Sequence, residues 1–159
     1  MQSGWKSWLA PLAIAAAAVF AVAALGGALT DIGAWYKALQ KPSWQPPDWL
    51  FGPVWTTIFT LIAISAASAW RDAPDAGTRG QIVGLFMLNG ILNVLWSLLF
   101  FYLRRPDWAL IEVVALWLSI VALILMLWRF SMRASLLLLP YLAWVSLAAY
   151  LNLTIVRLN

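Results

Sequence analysis

The chain contains neither cysteine nor histidine. Their absence excludes disulfides, thiolate nucleophiles, imidazole bases and the usual protein ligands of zinc or axial haem iron. Charge is scarce too. Only 10% of the 159 residues are Asp, Glu, Lys or Arg, against about 25% in soluble domains. The net charge of +4 and pI near 9.9 do not indicate nucleic acid. The basic residues are scattered at the ends of apolar segments, where they meet lipid headgroups.

Apolar and aromatic side chains make up the deficit. The chain is 64% hydrophobic, with a mean hydropathy of +0.86 and twelve tryptophans. Such a composition cannot cover a water-soluble fold, and the apolar runs are close to the roughly 20 residues that cross about 30 Å of hydrocarbon. We read one all-α integral membrane domain over 1–159, with spans at about 9–29, 50–70, 81–103, 108–128 and 135–156. The first run is alanine-rich after a basic start, but it is longer than the 7–15 residues of a signal-peptide core and is taken as a retained span. Within it Ala13, Ala17 and Ala21 mark a face on which a neighbouring helix can approach closely.

One stretch cannot be an ordinary span. Trp35 to Trp55 holds four of the eight prolines and four of the twelve tryptophans. Pro42, Pro46, Pro47 and Pro53 forbid a continuous helix, because proline fixes φ and lacks an N–H. Residues 30–49 are therefore read as an aromatic lid loop, with a short helix around Trp35, Tyr36, Lys37 and Leu39. Pro53 is placed in the first turn of the next span, where the missing donor matters little. Residues 71–79 are read as a solvated loop.

Spacing marks the inward faces. Trp55 and Phe59 lie one turn apart, with Phe51 a further turn before. Asn89, Asn93, Trp96 and Phe100 share one stripe, and amides within hydrocarbon need partners. Trp108 and Glu112 share another stripe, and a carboxylate within a span marks a paired or functional site unless it snorkels to the interface. Tyr141, Trp144, Ala148 and Leu151 share the last. Helices two and four begin on the lid side and helices three and five end there, so these groups converge beneath the lid. A mostly apolar cavity between bundle helices with a few polar groups is the usual form of a small-molecule site. Simple filling of a core and of interfacial belts would use the same aromatics. Gly80 and Gly84 stand at the spacing of a helix-dimer face, which serves packing within one chain equally well. The basic residues tie at five on each side of the membrane, leaving orientation open.

The segments WYKALQKPSWQPPDW, GPVW, LNGILNVLWS and PYLAWVSLAAYLN together resemble the translocator protein family, the peripheral benzodiazepine receptors, called tryptophan-rich sensory proteins in bacteria. The resemblance covers nearly the whole chain. It implies a five-helix bundle, usually dimeric, with a cavity closed by the loop between the first two helices. It further implies binding of porphyrins such as protoporphyrin IX, and of isoquinoline carboxamides or benzodiazepines. By resemblance Tyr36, Pro46, Trp55, Asn93, Trp108, Trp144 and Ala148 are cavity positions, and Asn89, Trp96, Glu112 and Leu151 are their neighbours.

Cholesterol binding is not implied. The animal members' recognition pattern allows five residues between tyrosine and a basic residue, and six separate Tyr150 from Arg157 here. A bacterial cell-envelope protein binding tetrapyrroles is the expected case, or a mitochondrial outer-membrane protein if the source is eukaryotic. No cofactor is required and no metal site is expected. Three functions remain open: a receptor or sensor, with propionates met by Lys37, Lys41, Arg104 and Arg105; a light- and oxygen-dependent porphyrin-degrading enzyme, whose two tryptophans match Trp55 and Trp144; and a transporter. Partners are the porphyrin-type ligand, the bilayer and a second copy of the chain, with no nucleic acid.

Overall fold

The structure is a computed structural model describing residues 4–159; of the domain read over 1–159, residues 1–3 lie outside the described residues. It is all helical. The elements are α1 (Lys6–Leu29), α2 (Ala34–Ala38), α3 (Asp48–Asp72), α4 (Ala76–Ser97), a π-helical turn (Leu98–Tyr102), α5 (Pro106–Trp128), α6 (Met132–Leu137) and α7 (Leu139–Leu158). Five stretches are long and apolar enough to cross a membrane: α1, α3, α4 with its π-turn, α5, and α6 with α7. Around the bundle α1 packs on α3 and α4, α5 on α4 and α7, and α6 on α3. Antiparallel α1 and α3 are tied at their outer ends, where the Arg71 guanidinium lies 4.0 Å above the Trp8 ring.

Several boundaries differ from the sequence reading for local reasons. The loop over 71–79 shrinks to Ala73–Asp75. Asp75 caps α4 by accepting from the Thr78 N–H at 2.7 Å, so the helix starts at Ala76 rather than about 81. Asp48 opens α3 two residues before the expected start. Pro53 therefore falls in the second turn, not the first, and leaves the Trp49 carbonyl without its helical donor. The last span begins at Met132 and is interrupted at Leu138, because Pro140 cannot donate to the Leu136 carbonyl. Leu138 N–H bonds back to Ser135 and Leu142 N–H to Leu138 instead.

The expected alanine face of α1 is also corrected. Ala13, Ala17 and Ala21 are exposed, and the packed stripe is Ala15, Val19, Val22, Ala23 and Gly26. The close approach is made on α4, where a Cβ on Gly90 would meet Val22 Cγ2 at 3.0 Å. Because α1 is apolar all round, its sequence carries no periodic sign of which face is inward.

Small side chains decide where the bundle is tight. In the half away from the lid, Ser65, Ala67, Ser68 and Ala69 of α3 are buried, letting α3 and α6 close up until the Ser65 hydroxyl donates to the Ala134 carbonyl at 2.7 Å. Ile58, Ile62, Ile120, Leu123, Leu127 and Leu138 fill this half. Toward the lid, bulky Trp55, Phe59, Tyr141 and Trp144 hold the helices apart.

Candidate functional site

Beneath the lid, between α1, α3, α4, α5 and α7, lies a cavity of about 370 Å³, within the range of small-molecule sites. Its walls are largely aromatic. Trp55 stands 5.3 Å from Phe59 and edge-on to Tyr141 at 6.2 Å, and Phe51 meets Trp144 edge-on at 5.4 Å. Trp96 stacks on Phe100 at 5.0 Å, at an interplanar angle of 22°. These separations are those of favourable aromatic pairs.

The lid is locked down by the same chemistry. Trp35 and Tyr36 of α2 pack on Phe100 and Phe101 at 6.1 and 5.6 Å. The π-helical turn widens the end of α4 by one residue per turn, which presents both phenylalanines to the lid. Lys41 donates to the Tyr36 carbonyl and lies 4.1 Å above its ring. Gln45 Nε2 donates to the Tyr36 hydroxyl and to Asp48 Oδ1, both at 3.3 Å. Burial, then the negative charge of Asp48, pushes the Tyr36 hydroxyl's pKa up.

A buried polar chain forms the floor. Asn93 Nδ2 donates to the Tyr141 hydroxyl at 3.1 Å, which donates to Asn89 Oδ1 at 3.2 Å, and Asn89 Nδ2 donates to Ser119 Oγ at 2.9 Å. Nearer the lid, Trp96 Nε1 donates to Asn152 Oδ1 at 3.2 Å, and Asn152 Nδ2 donates to the Pro106 carbonyl at 2.8 Å. The stripe at 89, 93 and 96 thus fastens α4 to α5 and α7. Among the described residues three side chains have buried polar atoms with no protein partner, Gln45 in the lid and two in the bundle. Trp144 Nε1–H is a buried donor without an acceptor, and the Glu112 carboxyl, on a residue only 8% exposed, has both oxygens unpaired.

Of the residues singled out from sequence, Tyr36, Phe51, Trp55, Phe59, Asn93, Trp96, Trp144 and Ala148 line the cavity. Five others are placed outside its lining. Pro46 is half-buried in the lid, and Asn89 sits behind the floor in its hydrogen bonds. Leu151 packs with Tyr36, Phe100 and Ile155 in the lid-side core. Trp108 turns outward, 53% exposed, beneath the Arg105 guanidinium at 4.6 Å. Glu112 is buried rather than snorkelling, and α5 gives the cavity wall Val113 and Leu116 instead. The basic residues expected to meet carboxylates are not in the lining either. Arg104 lies 3.9 Å from Asp31, Arg105 is bonded to Asp107 at 2.6 and 2.9 Å, and Lys41 is engaged with Tyr36. Gly80 and Gly84 face open space on the outer side of α4.

Sequence reasoning missed the α1 wall, made of Ala23, Gly26, Gly27 and Thr30, and missed Asp48, Ser97 and Phe101. The Gly26-Gly27 pair near the end of the alanine-rich run was the available signal.

Comparison with known proteins agrees with this architecture. The TspO/MBR family profile matches residues 13–158. Tryptophan-rich protein TspO of Chlorobaculum tepidum is 45% identical over 125 residues, 79% of each chain. Tryptophan-rich protein TspO of Archaeoglobus fulgidus is 38% identical over 148 residues, 90% of this chain and 95% of that one. Translocator protein of Sus scrofa is 33% identical over 158 residues, 95% and 94% of the two chains. A tryptophan-walled cavity inside five apolar spans and a family match over nearly the full length thus lead to one conclusion: the chain belongs to the TspO/MBR family and is an integral membrane protein.

Proposed function

We propose that this protein is a membrane receptor or sensor that captures a flat hydrophobic ring ligand under its lid: tetrapyrroles such as protoporphyrin IX or haem, and drugs of the isoquinoline carboxamide type. The observation that carries the reading is the cavity itself, an apolar space walled by Trp55, Trp96 and Trp144. Indole faces recognise planar rings by area and stacking, and need few polar contacts. The sensory and translocator names of its relatives favour the same class of activity. The free Trp144 Nε1–H is a donor for a ligand carbonyl or ring acceptor. The bilayer is the source of the ligand and the bacterial cell envelope the membrane, or the mitochondrial outer membrane in a eukaryote. A second copy of the chain docks through the outward Gly80 and Gly84 face of α4.

Titrating the purified protein with protoporphyrin IX in the dark, read by tryptophan quenching, tests the reading. Saturable quenching that Trp55→Phe with Trp144→Phe weakens supports it; no saturable binding rejects it.

The co-location of Trp55 and Trp144 on one cavity also favours a light-dependent reading. An excited porphyrin takes an electron from an indole, and dioxygen is the terminal oxidant in breaking the ring. A new absorbing product formed under light by the wild type and absent from the double variant supports this reading. Equal bleaching in both proteins rejects it.

A further inference from the structure

The lid end of the cavity is acidic. Among the described residues Asp48 is the only charged one lining the cavity. Its carboxylate is held by Gln45 Nε2 at 3.3 Å, with the Tyr36 hydroxyl at 3.5 Å. Beside it Gln45 Oε1 is a buried acceptor with no partner. The hydroxyl of Thr30, also on the lining, is already spent on the Gly26 carbonyl at 2.8 Å. Of the nearby cations, Lys41 is engaged with Tyr36, Arg104 lies toward Asp31, Arg105 is bonded to Asp107, and Lys37 is exposed outside the lining. A ligand edge arriving here meets one negative charge and no positive charge on the wall; Gln45 lies outside the lining and acts through its bond to Asp48.

Resting on the ring-binding reading above, we propose that Asp48, held by Gln45, forms a subsite for a cationic or hydrogen-bond-donating substituent on the outer edge of the ring ligand. An ammonium there pairs with Asp48, and an amide N–H donates to it. A carboxylate there adds like-charge repulsion. Asp48 is therefore a specificity-determining residue. The cavity selects the ring by its aromatic walls and the edge by its charge, and a tetrapyrrole carrying propionates binds with those groups turned away from the lid end.

Two probes share one ring and differ in edge charge: protoporphyrin IX, and its bis-amide with ethylenediamine. Both are titrated in the dark into the full-length protein in an uncharged maltoside detergent, for wild type, Asp48→Asn and Gln45→Leu. The wild type binds the dication about fivefold more tightly than the dianion, the scale of an exposed ion pair gained against a like-charge contact. Asp48→Asn brings the ratio to about one. Salt raised from about 0.01 to about 1 M, which shortens the screening length from about 30 to about 3 Å, shrinks the wild-type ratio without any variant. Equal wild-type affinities, tighter binding of the dianion, or a preference that salt and Asp48→Asn both leave intact overturns the subsite. Failure of both probes to bind removes the ring-binding reading itself, and the subsite with it.

Discussion

Gln40 and Asn159 hold each other by two hydrogen bonds across 119 residues of sequence: the Gln40 N–H donates to Asn159 Oδ1 at 2.9 Å, and Asn159 Nδ2 donates to the Gln40 carbonyl at 3.0 Å. A side-chain amide thus pairs with a peptide unit of the lid as one strand pairs with another. Trp44 adds a stack on Tyr150, at 5.1 Å and 18° between planes. The lid is clasped to the end of α7 rather than merely lying over the cavity. Asn159→Ala removes both bonds. We expect ring-ligand dissociation to speed by about tenfold, the value of two partly solvated hydrogen bonds. Stopped-flow fluorescence of ligand release reads it, and an unchanged off-rate rejects the clasp.

The floor should be a stability element. Tyr141→Phe deletes the hydroxyl between Asn89 and Asn93 and leaves two buried amides short of a partner. A loss of about 1–2 kcal/mol follows, visible as a lower Tm in detergent. Ser146→Ala, which loses only the exposed bonds from Trp117 Nε1 at 2.9 Å and to the Leu142 carbonyl at 2.8 Å, serves as the comparison and should fall less. If the two variants melt alike, the buried chain has no special weight.

Ala148 lines the cavity one turn after Trp144 on α7. Ala148→Leu adds three carbons to space that is empty without ligand, so stability should change by less than about 1 kcal/mol, whereas overpacking a filled core costs about 1–3 kcal/mol. Ring-ligand affinity should fall by at least about tenfold, or about 1.4 kcal/mol. A variant that melts as the wild type does and still binds as tightly would place the ligand elsewhere.

The cap of α4 carries a pH dependence. Hydrogen bonding from the Thr78 backbone N–H, then from its hydroxyl, holds the Asp75 carboxyl below the usual carboxylate range. Its folded pKa lies below its unfolded one. The stabilisation is therefore complete above the unfolded value, and it is lost as pH falls through the depressed folded value. Asp75→Asn keeps a capping oxygen without the titration, so it should flatten the acid limb of Tm against pH below about 4. Identical acid limbs would remove Asp75 from that transition.

The spans, the lid and eight cavity residues could be read from the chain because proline and hydropathy act locally, and because spacing puts residues such as Trp55 and Phe59 on one face. Spacing does not say how a helix is rotated. In water the polar face settles that, but in a bilayer both faces are apolar. Trp108 was therefore placed inside although it turns out beneath Arg105, and the Gly26 wall of α1 was missed. Asp48 was hidden for another reason. In sequence it is one more polar lid residue, and only the fold brings it beside Tyr36.

The seam between α3 and α6, where Ser65 reaches the Ala134 carbonyl, makes the cavity a well with a floor. On the ring-binding proposal, passage of a ligand to the opposite leaflet would require that seam to part. A ring held under the lid would then sit in one half of the bilayer, and any message to the other half would have to be carried by helices rather than by the ligand.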